Sequence, residues 1–461
     1  MKKLFLALVY LLPISFLSAQ TINQRLEKAW LQFEADSQMR NGIASLYVID
    51  ANSGEVVFDK NSSIGLAPAS TQKIITSVSA YELLGRDFVY ITRLAMEQIA
   101  GKTILYFIGN GDPSFGSSRW ESTGEAKIKS DWVKAIKNAG IEKISAVYID
   151  AEGWGTESIP DGWIWQDIGN YYGAGAEGFN WRENQFDIIL RSGEQVGSTV
   201  DIVRTIPKLY DLKLNSALHA AAKGTGDNAY VYFPLQRSDG IVRGTIPVGE
   251  SSFKISASMP NPAFQFFRTL DDTLARLGIK FPVRPGTRDN LSSELIDPKV
   301  LHTTISPPLD SLIYWFNRKS VNFFGEALIK TIGVTLTGVA ATDSGVNRVK
   351  QFWKEKGLPP DELNMYDGSG LSPLNRVTTH AQVSILKYAK ERDWFPAFYN
   401  ALPEYNGMKM KSGTISDVKG FCGYQTSKEG RQYIFSFLVN NYGGRTTPMV
   451  NKMYQVLNEL K

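Results

Sequence analysis

The chain has 461 residues, of which 43% are hydrophobic and 21% charged. This is a core-forming balance, long enough for about two or three domains. Its formal net charge of +4 at pH 7 provides no basic field for a nucleic-acid partner. The single cysteine, Cys422, excludes an internal disulfide and any cysteine-built zinc site.

Residues 1–19 read as a secretory signal: Lys2 and Lys3, an apolar run from Leu4 to Phe16, then the small-residue site Leu17-Ser18-Ala19. The run is short and broken by Pro13, which argues against a membrane anchor, and no later stretch is apolar enough to span a bilayer. Residues 21–39 place Ile22, Leu26, Trp30 and Phe33 on one face and predict an amphipathic helix. Strands follow at 43–50 and 55–58, turned by Asn52-Ser53-Gly54. A helix then starts after Ala67-Pro68, with Ile74, Ile75, Val78, Leu83 and Leu84 as its apolar stripe and Gly85 as its stop.

The interval between Lys73 and Ser320 is far too long for a loop and must contain folded domains. It predicts strands at 90–97 and 103–108, a sharp turn at Gly109-Asn110-Gly111-Asp112-Pro113, a helix at 130–138 and a strand at 145–150. Trp154, Trp163, Trp165, Tyr171, Tyr172 and Trp181 then crowd one stretch. Such rings stack on sugars or pack beneath irregular loops, and packing is the simpler reading. Gly173-Ala174-Gly175-Ala176-Glu177-Gly178 fits G-x-G-x-x-G, but no buried strand precedes it and no βαβ pattern surrounds it. Short alternating strands fill 186–247, and a helix at 262–277 has Asn261 as cap and Gly278 as stop.

The last third predicts helices at 309–318 and 323–332, joined by Lys319-Ser320-Val321-Asn322. Further helices are expected at 346–356, 379–392 and 448–460. Strands are expected at 408–412, 420–426 and 432–440, which makes Cys422 a buried small hydrophobe. A glycine-rich turn covers Asp367-Gly368-Ser369-Gly370-Leu371-Ser372-Pro373. The histidines, His219, His302 and His380, show no metal-type spacing, and no G-x-S-x-G elbow is present.

Three stretches carry chemistry. Ser70 and Lys73 lie three apart at a helix start and share a face, so a desolvated lysine can take the serine proton. The Ser70 N–H, unpaired there, can point at an oxyanion. The same spacing recurs at Ser251/Lys254, Ser384/Lys387 and Ser416/Lys419, so the pair alone is unspecific. Ser320 and Asn322 sit in a joint between helices, where i and i+2 can face one cleft. The hydroxyl can relay a proton, and the amide can hold both the lysine and a substrate carbonyl. On its own this is also an ordinary serine cap. Lys411-Ser412-Gly413-Thr414 lies on a strand that puts Lys411 and Gly413 on one face. Lysine there supplies charge, glycine leaves room for a substrate backbone, and the Thr414 N–H can be a second oxyanion donor.

S-x-x-K, S-x-N and K-[ST]-G in this order resemble the set of penicillin-binding proteins and class A β-lactamases. The chain resembles most the D-alanyl-D-alanine carboxypeptidase/endopeptidase group, the class C low-molecular-mass penicillin-binding proteins. The likeness includes Gly109–Pro113, the run Pro160-Asp161-Gly162-Trp163-Ile164-Trp165-Gln166-Asp167, the Asp367–Ser372 turn and the long insert, with Ser412 where threonine is common. It implies an α+β, β-lactamase/transpeptidase-like domain from 20–88 and 296–461, an antiparallel sheet flanked by helices. The inserted region, 89–295, would hold two subdomains, with about 186–260 as the nested β-rich one. By the same resemblance Ser70 attacks the terminal D-Ala-D-Ala bond of peptidoglycan stem peptides, Lys73 takes its proton, Ser320 relays it and Asn322 orients. Lys411, Ser412, Gly413 and Thr414 would bind the substrate. The resemblance also implies endopeptidase action, β-lactams as covalent inhibitors, no metal or organic cofactor, and a periplasmic location. A β-lactamase-type hydrolase and a catalytically silent peptidoglycan-binding protein are the alternatives.

Overall fold

The computed structural model describes residues 20–282, 286–287 and 298–461, apart from 152, 156, 211 and 234–238. The expected signal lies outside the described residues. Both ends of the chain meet in one six-stranded antiparallel sheet. Its order is Glu404–Tyr405, Met408–Ile415, Val418–Thr426, Gln432–Asn440, Ile43–Asp50, Val56–Lys60. Ile43 stands opposite Asn440 and Asp50 opposite Tyr433, so the first hairpin closes onto the last strand.

Side-chain alternation sends each strand to two cores. Leu46, Val48, Phe435 and Phe437 pack with Trp30, Phe33, Met449 and Met453 of the terminal helices Ile22–Glu34 and Thr446–Leu457. Tyr47, Ile49, Ile434, Leu438 and Cys422 face the opposite core with Ile74, Ile75 and Val78 of the Lys73–Leu84 helix and Phe323 and Leu328 of Asn322–Thr337. Burial on both faces explains why residues 433–439 read as an almost unbroken apolar run. The α+β expectation, a sheet flanked by helices, is borne out.

The inserted region contributes a five-stranded sheet, ordered Gly286–Thr287, Ala146–Asp150, Lys102–Ile108, Ile91–Ile99, Lys299–Ile305. Residues 185–258 add two three-stranded sheets. One apolar cluster joins them to the helices Glu125–Asn138 and Pro262–Ala275 through Phe107, Trp132, Ile188, Val242, Phe266 and Phe267. Its rings meet edge to face: Phe107 and Phe267 at 4.7 Å and 88°, Trp132 and Phe266 at 5.5 Å and 84°. Lys299–Ile305 pairs antiparallel with Ile91–Ile99, which makes it an edge strand of this five-stranded sheet.

Local differences from the sequence reading have local causes. The helix expected at 130–138 starts at Glu125: Ile128 extends the buried face of Trp132 and Ile136 by one turn, and Lys129–Glu125 and Lys127–Asp131 ion pairs support it. The helix expected at 323–332 runs to Thr337 and stops at Gly338 in the left-handed conformation (φ 72°). The short helix Phe395–Ala401 has no sequence counterpart above; a proline in its first turn starts it.

Candidate active site

Ala69–Gln72 forms a 3-10 turn that runs directly into the Lys73–Leu84 helix, so Ser70 sits in the tighter lead-in turn. Ala69 holds a positive φ of 46° to enter it. Residues Lys73 to Tyr81 are all buried, the signature of a helix enclosed on every side. Lys73 is 0% exposed, and its Nζ lies 2.9 Å from Ser70 Oγ, 2.6 Å from Asn322 Oδ1 and 2.8 Å from the Ser369 carbonyl. Burial brings its pKa down to about 7, against the opposing charges of Asp367 and Glu326. The Asn322 amide is oriented by its other end, since Nδ2 donates to the Tyr172 carbonyl at 2.8 Å.

A neutral amine has two N–H bonds and one lone pair. Asn322 Oδ1 and the Ser369 carbonyl are acceptors only, so they take the two N–H bonds. The lone pair is then left for the Ser70 hydroxyl, which is the arrangement a general base needs.

Ser320 occupies the joint between Leu309–Arg318 and Asn322–Thr337 with a positive φ of 56°. Its Oγ accepts from Lys411 Nζ at 2.9 Å, and Lys411 also donates to the Ser412 carbonyl at 2.8 Å. Lys411 is 1% exposed; burial, then the nearby Lys73, holds its ammonium well below the usual lysine range. The two lysines thus hold different hydroxyls, and no direct Ser320–Lys73 hydrogen bond exists among the described residues. Gly413 lies where a Cβ would stand 2.5 Å from the Pro68 carbonyl and 2.9 Å from Ser70 N, so no side chain fits. Met410 N–H donates to the Pro403 carbonyl at the outer edge of the Met408–Ile415 strand, and the two-residue period turns the Thr414 N–H to that edge. Thr414 Oγ1 is engaged by Lys419 Nζ at 2.8 Å, and the Ser412 hydroxyl makes no hydrogen bond to another described residue. Ser70, Ser320, Asn322 and Thr414 line a cleft of about 510 Å³. In two of the other S-x-x-K pairs the lysine serves elsewhere: Lys254 pairs with Asp187, and Lys419 bonds Thr414.

The sequence matches the D-Ala-D-Ala carboxypeptidase 3 (S13) family over residues 25–404. The chain belongs to that family. A D-alanyl-D-alanine carboxypeptidase of Actinomadura sp. is 24% identical over 440 residues, spanning 89% of this chain and 80% of the relative. A carboxypeptidase of Mycobacterium tuberculosis is 30% identical over 407 residues, spanning 86% and 76%. Penicillin-binding protein 4 (DacB) of Haemophilus influenzae superposes with a TM-score of 0.76 at 20% identity, covering 91% of this chain and 97% of that one. At that identity the likeness is one of fold. The S13 match stops before Lys411; the hydrogen bond to Ser320 is what ties that strand to the motifs within it.

In this S13 chain the inserted region forms the facing wall of the cleft through Gln166, Asp167, Tyr171, Tyr172, Gln185 and Tyr230. None of these is among the site residues expected from sequence. The crowd of aromatics was the available signal, and it divides. Trp163 and Trp181 are buried, whereas Trp165 and Tyr171 are about half exposed, with Tyr171 on the cleft wall. Arg119 also lines the cleft, held by Glu183 at 2.7 Å and lying over the Trp315 ring. Ser369 and Glu326, behind Lys73, are not among the expected site residues: Ser369 lies in the Asp367–Ser372 turn but acts through its backbone carbonyl, and Glu326 is a buried helix residue outside any motif.

Proposed function

We propose that this chain is a serine-type D-Ala-D-Ala carboxypeptidase that cleaves peptidoglycan stem peptides through a Ser70 acyl-enzyme. The observation that carries the reading is the buried Lys73 amine, within hydrogen-bond reach of Ser70 Oγ and tied to two acceptors that free its lone pair. Ser70 Oγ attacks the carbonyl carbon of the terminal D-Ala-D-Ala bond while its proton moves to Lys73 Nζ. The Ser70 and Thr414 N–H groups meet the developing oxyanion. Ser320, polarised by Lys411, donates its proton to the leaving D-alanine amine and takes in turn the one that Lys73 received from Ser70, so that it relays that proton, and Asn322 orients Lys73 and the substrate amide. Lys411, with Ser412 beside it, receives the terminal carboxylate, and Gly413 lets the substrate backbone lie along the strand. Water then attacks the ester, releases the shortened peptide and returns the proton to Ser70.

The same steps apply when the leaving amine belongs to a crosslinked neighbour, which extends the proposal to D,D-endopeptidase action on D-Ala-to-diaminopimelate bonds. Penicillin, whose strained amide mimics D-Ala-D-Ala, acylates Ser70 in this reading. The Haemophilus penicillin-binding protein 4, solved in complex with a β-lactam, supports it. The reading also takes the chain as exported and periplasmic. The test is release of D-alanine from a pentapeptide ending in D-Ala-D-Ala, followed by digestion of purified peptidoglycan with identification of the fragments. Wild-type protein that neither releases D-alanine nor takes up fluorescent penicillin would sink the proposal.

A further inference from the structure

The Asp367-Gly368-Ser369-Gly370 turn is wedged between the two helices that carry the catalytic residues. A Cβ on Gly370, whose φ is 83°, would stand 1.9 Å from the Ala69 carbonyl. A Cβ on Gly368 would stand 2.2 Å from the Gly325 carbonyl. The turn therefore touches the Ser70 segment on one side and the Asn322 helix on the other, backbone to backbone. Each neighbour also grips it. Asp367 accepts from Gly370 N, Ser372 N, Trp163 Nε1 and Asn375 Nδ2, and from Gln72 Nε2, the residue before Lys73. Thr76 Oγ1, one turn beyond Gln72, donates to the Gly368 carbonyl at 2.6 Å. Glu326 lies one turn after Asn322 and is 0% exposed; its Oε2 accepts from the Gly368 N–H at 3.1 Å.

We propose that this turn aims the Lys73 lone pair at Ser70, with Glu326, Asp367 and Thr76 as its positioning residues. The inference rests on the reading of Lys73 as the base. The Ser369 carbonyl is one of the two acceptors that take the Lys73 N–H bonds; its own peptide is held through the Gly370 N–H by Asp367, and Thr76 and Glu326 hold the two peptides before it. If it rotated away, a Lys73 N–H would be left unpaired in a dry site, and the amine would turn that bond toward Ser70 Oγ. The lone pair would then point elsewhere, and Ser70 would lose its proton acceptor. Asn322 and Glu326 stand four residues apart on one helix, so the same face sets both acceptors of the lysine.

Acylation of the full chain by a fluorescent penicillin separates the dissociation constant of the noncovalent complex from the first-order acylation rate. Glu326→Ala is expected to lower that rate about tenfold or more, as displacement of a reacting group does. The dissociation constant should stay within about twofold, because the residue touches no part of the cleft. Glu326→Gln keeps an acceptor for the Gly368 N–H and should recover most of the rate. Thr76→Val, nearly isosteric, removes the bond to the Gly368 carbonyl and should slow acylation by about threefold or more through the same loss of positioning. It provides the reading if Glu326→Ala does not fold. Variants with a lower Tm but a wild-type acylation rate in the folded fraction would overturn the proposal, since they would show the turn to be structural only. Wild-type protein that is not acylated at all would instead remove the base reading on which this inference stands.

Discussion

Two buried regions of the molecule solve opposite problems. The inserted region is held by rings: Phe107, Phe115, Trp132, Trp181, Phe266 and Phe267 are each 1% exposed or less and meet mostly edge to face. The seam behind the cleft is no more exposed, yet it buries Lys73, Lys330, Lys411, Glu326 and Asp367. Desolvation brings Lys73 down to about 7 and raises Glu326 to about 8, so both groups are held far from their ordinary charge states. A buried ionic cluster is weak evidence for stability and can be improved by apolar replacement. The comparison separates a core that apolar burial explains from a seam whose buried charges it does not, and the proposed chemistry accounts for the seam.

The contrast breaks most sharply at Lys73. Lys73→Met should slow penicillin acylation by about a thousandfold or more, while Tm stays level or rises because a buried amine has been removed. A fall in Tm with the rate retained would reverse the assignment of roles. Phe266→Ala is the mirror case. It should cost about 3–5 kcal/mol in denaturant unfolding and leave the acylation rate of the folded protein nearly unchanged. The pH profile sharpens the seam side further. Only the neutral amine can accept the Ser70 proton, so acylation should rise with pH through about 7. It should fall by about tenfold per unit below that value. Trp165→Ala, on the exposed surface of the inserted region, should have the smallest effect, with stability within about 0.5 kcal/mol in the same denaturant assay.

The legible parts of the sequence were those with a local rule. Short apolar runs bounded by turn signals mark the strands at 43–50 and 432–440, and Asn261 marks its helix by capping Phe264 N. Ser70, Ser320 and Lys411 stand out by type, spacing and order. What brings them together is not local: Ser320 needs a positive φ in a two-helix joint, and Gly413 is required by contact with Pro68 and Ser70. Asp167 and Tyr172 reach the cleft only because the inserted region folds back over it. The Ser369 carbonyl carries no side-chain signature, and the close backbone contacts of the glycines on either side of it show only in the fold.

The central claim is that Ser70 is the nucleophile served by Lys73. Its most direct test is mass spectrometry of the full chain after benzylpenicillin treatment, followed by proteolytic mapping. One penicilloyl group on the peptide containing Ser70, absent from a folded Ser70→Ala variant, is the predicted result. An adduct on another residue, or one that persists in Ser70→Ala, would contradict it.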